Sequence, residues 1–107
     1  PKERAMKVGM ISSNEPGLYR EGKWGIRIEN LMVNTCVASP TETEFGKFLN
    51  FETVTYCPID TRLIESSLLN QVEIDWLNNY HSQVYAELKD RVDGAALEWL
   101  TERTQAI

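Results

Sequence analysis

The sequence predicts an α+β chain: an antiparallel β-hairpin, a third strand, and two C-terminal helices packed on one another. Three observations carry this. Two strand-like runs, Val8–Ser12 and Ile26–Val37, flank a polar stretch centred on Gly22. A β-rich segment, Phe48–Cys57, follows a loop containing Ser39-Pro40-Thr41. Beyond it, apolar residues stop alternating and recur every three or four positions.

The hairpin extends from about Lys7 to Val37 and turns near Gly22. Its second strand is rich in Ile, Leu and Val, as a half-buried strand should be. Ala38–Gly46 reads as a loop. In the third strand Phe51, Thr53, Val54, Thr55 and Tyr56 carry the β character, and Pro58 ends it because proline cannot donate to a ladder. Asp60–Ser67 reads as a turn or a single helical turn. Asn70, with Glu73 three residues on, has the spacing of a capping box. Leu77, Tyr80, Val84 and Leu88 then form one apolar stripe. Asp93 is the expected N-cap of a second helix starting at Gly94, with Ala96, Leu97, Leu100 and Thr104 inward. Trp76 and Trp99 are large surfaces for so short a helical pair, which points to burial against another domain or a partner subunit.

A length of 107 residues bounds the chain to one domain at most. Hydrophobic content of 42% and charged content of 25% are ordinary for a soluble globular protein. No apolar run approaches the roughly 18 residues of a transmembrane helix, and no signal peptide is visible. The net charge of −5 is unevenly placed: residues 1–30 carry six basic and four acidic side chains, and residues 31–107 carry five and twelve. That acidity argues against nucleic acid, which is met by a basic face, and gives no sign of an anionic membrane partner. Cys36 and Cys57 match neither a disulfide scaffold nor a zinc motif. They read as free, buried thiols of a cytosolic protein.

Two glutamates stand out. Glu15 lies in Ser13-Asn14-Glu15-Pro16-Gly17 and Glu29 in Gly25-Ile26-Arg27-Ile28-Glu29-Asn30, each seven positions from Gly22. A hairpin symmetric about Gly22 pairs them directly, with Cβ atoms about 5 Å apart on one face. Carboxylates so placed repel unless a cation lies between them, and hard divalent ions take oxygens from several segments. The plainer reading is a solvated carboxylate pair, or a bulge that shifts the register and separates the two. Arg27 shares a strand face with Glu29, as a surface ion pair or as a cation that orients metal-binding carboxylates. Tyr19 and Trp24 flank the turn and either line a pocket or pack across the strands. His81 has no acid three or four residues away and reads as a structural histidine at the helix packing surface.

The two hairpin motifs, together with Trp76-Leu77-Asn78-Asn79-Tyr80-His81 and Glu98-Trp99-Leu100, resemble the Xaa-Pro aminopeptidase (aminopeptidase P) branch of the creatinase-like metallopeptidases. The resemblance implies that residues 1–47 end a pita-bread catalytic domain and that residues 48–107 form the C-terminal subdomain of the longer enzymes. It makes Glu15 a ligand of one metal ion and Glu29 a bridge between two. Glu15 and Arg27 are thereby assigned to catalysis, Arg27 by orienting the carboxylates. The family's two aspartates and one histidine precede the first glutamate motif, and no Asp or His precedes Val8 here. The chain therefore reads as the C-terminal fragment of a dinuclear enzyme, with two of five ligands, inactive alone and binding divalent metal weakly or not at all.

In the whole enzyme the resemblance implies two divalent ions, manganese first and zinc or cobalt as substitutes, activating a water that attacks the peptide carbonyl. The partners implied are peptides with proline in the second position, the missing N-terminal part and a second copy in a homodimer, with no nucleic acid and no membrane, in the cytoplasm. The other readings are a prolidase or another creatinase-like hydrolase, a relative that has lost the upstream ligands, and a non-catalytic dimerisation module.

Overall fold

The computed structural model describes residues 5–38, 44 and 46–107. The chain divides into two units, Pro1–Thr55 and Tyr56–Ile107.

The first unit is built on a long hairpin in two ladders. Strand β1, Ile11–Asn14, and strand β2, Gly17–Arg20, form the outgoing arm; β3, Trp24–Arg27, and β4, Asn30–Cys36, form the return. Ile11 faces Val33 and Asn14 faces Asn30 in the first ladder; Gly17 faces Arg27 and Arg20 faces Trp24 in the second. One register thus runs through both ladders, symmetric about Gly22. Gly22 takes φ +66 at the turn, a conformation that costs glycine nothing, and Lys23 N–H closes the turn on Arg20 C=O at 3.0 Å.

The expected continuous strand Ile26–Val37 is broken at Ile28-Glu29, opposite Glu15-Pro16. The cause is Pro16, which has no N–H to give the ladder; Ile28 N–H to Pro16 C=O, 3.4 Å, is the bond across the break. The outgoing arm starts at Ile11 rather than Val8. Val8-Gly9 forms a turn, with Gly9 N–H on Asn34 C=O at 2.9 Å. Asn34 is buried beneath this turn, and its Nδ2 donates to Lys7 C=O at 3.3 Å.

Strand β5, Leu49–Thr53, pairs antiparallel with β4 and gives the order β1-β4-β5. It is shorter than the expected Phe48–Cys57: the regular ladder ends where Thr53 pairs with Met32. Val54 N–H still reaches Leu31 C=O, and Thr55 Oγ1 accepts from Leu31 N–H. Of the loop expected over Ala38–Gly46, residues 39–43 and 45 lie outside the described residues.

The second unit opens with two 3-10 turns, Thr61–Leu63 and Ser66–Leu68, in place of the single turn expected. Helix α1, Gln71–Leu88, starts at a complete capping box. Asn70 Oδ1 accepts from Glu73 N–H at 3.0 Å, and Glu73 Oε2 accepts from Asn70 N–H at 2.9 Å. Helix α2, Gly94–Arg103, has Asp93 at its N-cap, but the Asp93 side chain makes no capping bond.

Tyr80 and Val84 of α1 meet Leu100 of α2 in the core of this unit, with Ile59, Tyr85, Leu88 and Val92 packed around them. Leu77 is buried as its stripe requires, whereas Ala96 is exposed rather than inward. Tyr80 is anchored at its polar end: its hydroxyl donates to Cys57 C=O at 2.7 Å and accepts from Cys57 N–H at 3.4 Å. Trp76 stacks parallel on Tyr80, ring centroids 5.6 Å apart, and Trp76 and Trp99 both stay half exposed. Cys36 and Cys57 are free, but exposed rather than buried. Cys36 is the last residue of β4, and Cys57 directly precedes Pro58. No helix among the described residues is long and apolar enough to cross a membrane.

Candidate metal centre

Glu15 and Glu29 sit in the gap between the two ladders. The register common to both sides places them opposite each other. Hydrogen bonding alternates along an antiparallel pair. Met10 with Asn34 and Pro16 with Ile28 are bonding positions, so residues 15 and 29 fall on a non-bonded pair. Such pairs bring Cα atoms to about 4.5 Å and side chains closest together. The sequence thus folds to put two carboxylates on one face, where the ladder opens.

The same face continues through Ser13, Gly17 and Tyr19 on one arm and Gly25 and Arg27 on the other, since alternate residues share a face. A chain of side-chain bonds runs along it. Tyr19 Oη accepts from Arg27 Nε at 2.8 Å; Arg27 Nη1 donates to Glu15 Oε2 at 2.6 Å; Ser13 Oγ donates to Glu15 Oε1 at 2.7 Å. The Arg27 guanidinium carbon also lies 5.7 Å from the Tyr19 ring centroid. The bond to the Tyr19 hydroxyl, and then the fields of Glu15 and Glu29, hold the guanidinium above its already high ordinary pKa, so it stays charged. Both oxygens of Glu15 are engaged. Glu29 makes no hydrogen bond or ion pair among the described residues.

Arg27 shares the face of Glu29, as the alternation predicts, and its ion pair is with Glu15 across the strands. Both partners are about two-fifths exposed, 43% and 45%. The bond therefore fixes geometry more than it stabilises the fold. The sequence reading passed over Ser13 and the place of Tyr19 in this chain. The signal was present: Tyr19 and Gly25 are equidistant from Gly22, as are Glu15 and Glu29. Trp24 lies instead against Arg20, 5.7 Å from ring centroid to guanidinium carbon, at the tip of the hairpin.

Two opposed carboxylates, one held by Arg27 and one free of ion pairs, suit part of an oxygen-rich divalent site. No group of three or more His, Cys, Asp or Glu side chains that could hold a metal occurs among the described residues. The donor set therefore fits as a portion of a centre, two carboxylates to be completed by other ligands.

His81 lies in the other unit, fully buried. Its Nε2 accepts from Ile59 N–H at 3.1 Å, which fixes the neutral ring with the proton on Nδ1. Among the described residues Nδ1 makes no hydrogen bond within normal geometry, and the Gln105 backbone, then Ile59, favour protonation against the burial. Burial dominates and lowers its pKa below 6.5. This is a packing histidine, as its sequence surroundings suggested.

Comparison with known proteins identifies the family. Residues 1–35 match the model of metallopeptidase family M24, and residues 47–107 match that of the C-terminal region of peptidase M24. The chain is 45% identical over 105 residues to a probable Xaa-Pro aminopeptidase P of Coprinopsis cinerea, covering 96% of this chain and 17% of that protein. It is 39% identical over 103 residues to aminopeptidase P2 of Arabidopsis thaliana, covering 95% and 14%. The crystal structure of X-prolyl aminopeptidase from Caenorhabditis elegans, described as a cytosolic enzyme with a di-nuclear active site, superposes with a TM-score of 0.82 at 34% identity, over 95% of this chain and 17% of that one. The chain thus spans about a sixth of the length of these relatives. With more than half of its residues matched by one family model and its N-terminal part by the companion model, the chain belongs to metallopeptidase family M24.

Proposed function

We propose that this chain is the C-terminal part of a dinuclear Xaa-Pro aminopeptidase, and that Glu15 and Glu29 are two of its metal ligands. The observation that carries the reading is the shared register, which sets these carboxylates opposite each other on a non-bonded pair. The di-nuclear site of the C. elegans relative supports it. Residues 1–47 would close the catalytic domain and residues 48–107 would form a C-terminal subdomain.

Two divalent ions, most suitably manganese given an oxygen-rich donor set, supply a lowered water pKa and Lewis acidity when bound. The chain's own residues have defined tasks. Glu29, without an ion pair, offers both oxygens. Glu15 offers an oxygen oriented by Arg27 and Ser13. Arg27 fixes the Glu15 carboxylate through its ion pair, and Tyr19 aims Arg27. The remaining ligands come from the rest of the parent enzyme. The substrates are peptides with proline in the second position. The cytoplasm is the compartment, by analogy with the C. elegans enzyme, and a homodimer is one way to cover the half-exposed Trp76 and Trp99.

The test is Glu29→Ala in the intact enzyme, with metal content measured alongside hydrolysis of an Xaa-Pro peptide. Loss of both is expected. Unchanged metal occupancy and turnover would refute the assignment.

A further inference from the structure

The Tyr19 ring lies along the hairpin above two glycines. Gly25 is its direct cross-strand partner, and Gly17 precedes it by two residues on the same face, opposite Arg27. A Cβ at residue 25 would overlap Tyr19 Cδ1 and stand 2.7 Å from Cε1. A Cβ at residue 17 would stand 2.7 Å from Cε2 and 3.1 Å from the hydroxyl oxygen. The ring therefore spans from its Cγ end over Gly25 to its hydroxyl end over Gly17. That seat delivers the hydroxyl to Arg27 Nε at 2.8 Å.

Neither glycine serves backbone geometry. Both lie within strands, and neither has a positive φ. Glycine inside a strand weakens it unless a close approach needs the space. Here the approaching group is Tyr19.

We infer that Gly25 and Gly17 are positioning residues: by lacking a Cβ they seat Tyr19, and through its hydroxyl they aim Arg27 at Glu15. The consequence for metal binding rests on the proposed role of Glu15; the seat itself does not.

NMR of the 107-residue chain without metal tests the seat. In the unsubstituted chain the Gly25 Hα resonances are expected upfield, under the Tyr19 ring current, and the Arg27 Nε–H is expected to exchange slowly with solvent. Gly25→Ala should abolish the slow Arg27 exchange while the backbone amides of β1 and β4 keep their shifts. Tyr19→Phe should keep the Gly25 ring-current shift and lose the slow Arg27 exchange. An Arg27 Nε–H as protected in Gly25→Ala as in the unsubstituted chain would overturn the proposal. So would unshifted Gly25 Hα resonances in the unsubstituted chain, a result that does not depend on whether Gly25→Ala folds.

In the intact enzyme Gly25→Ala and Tyr19→Phe should each weaken metal binding on the order of tenfold or more, with no further loss in the double variant. Additive losses would overturn the coupling. If the NMR signature is lost in Gly25→Ala yet metal affinity is unchanged, the seat stands and the role of Glu15 as a ligand falls.

Discussion

Arg27 and Glu15 are twelve residues apart in the chain and 2.6 Å apart across the hairpin, beside the break that Pro16 makes in the ladder. The pair lies where hydrogen bonding between the arms is weakest. Arg27 does there with its side chain what the backbone cannot do at Pro16.

Removing Arg27 separates its two effects. Because the pair is substantially exposed, Arg27→Ala should change the stability of the chain by no more than about 0.5 kcal/mol in urea unfolding. Metal affinity of the intact enzyme should fall on the order of 10- to 100-fold, because Glu15 loses the group that orients it. Arg27→Lys should recover little, since an ammonium cannot reach Tyr19 and Glu15 through a rigid fork. A large stability loss with unchanged metal affinity would reverse this assignment.

The two helix N-caps give a paired prediction. Asn70 and Glu73 exchange two hydrogen bonds, so Asn70→Ala should cost about 1 kcal/mol. Asp93 sits at the corresponding place on α2 without a side-chain bond, so Asp93→Ala should cost a few tenths of that, through the helix dipole alone. Thermal unfolding followed by circular dichroism measures both. Equal losses would mean that Asp93 caps in solution.

His81 sets a pH dependence. Burial lowers its pKa in the folded chain below the ordinary value of 6.5. Above that value the ring is neutral in folded and unfolded states alike and contributes no slope. As pH falls through 6.5 the unfolded chain takes up a proton that the folded chain resists, so stability must drop. The drop continues until pH reaches the folded value. Urea midpoints between about pH 7.5 and 5 should show this fall, and His81→Gln should flatten it. An unchanged slope in His81→Gln would assign the titration to another group.

The opposition of Glu15 and Glu29 was legible in the sequence because one turn at Gly22 fixes the register of everything on either side. The capping box was legible for a similar reason: both of its bonds are local. What the sequence concealed depends on partners distant along the chain. The break opposite Pro16 needed the knowledge that losing one donor interrupts two strands at once. Thiol exposure at Cys36 and Cys57 depends on what packs over a segment's end. Asp93 has the right residue type at the right place, yet a cap residue's identity does not place its carboxylate over the helix N–H groups. The seat of Tyr19 on Gly25 follows from the same symmetry as the glutamate pair.

The isolated chain should bind manganese weakly. Two carboxylates leave most positions of a divalent ion to water, and no third ligand group stands with them among the described residues. Glu15 is also engaged by Arg27, whose positive charge opposes an incoming cation and must be displaced or shared. Sites with few charged ligands bind divalent ions on the order of 10⁻³ M or weaker, and that is the range expected from calorimetry with Mn²⁺. Glu29→Gln should weaken even this, since Glu29 is the carboxylate without an ion pair. Arg27→Ala should strengthen it slightly in the isolated chain, by freeing Glu15, although it weakens binding in the intact enzyme, where orientation outweighs charge. Tight binding of two ions to the 107-residue chain would show that these residues form a closed centre by themselves.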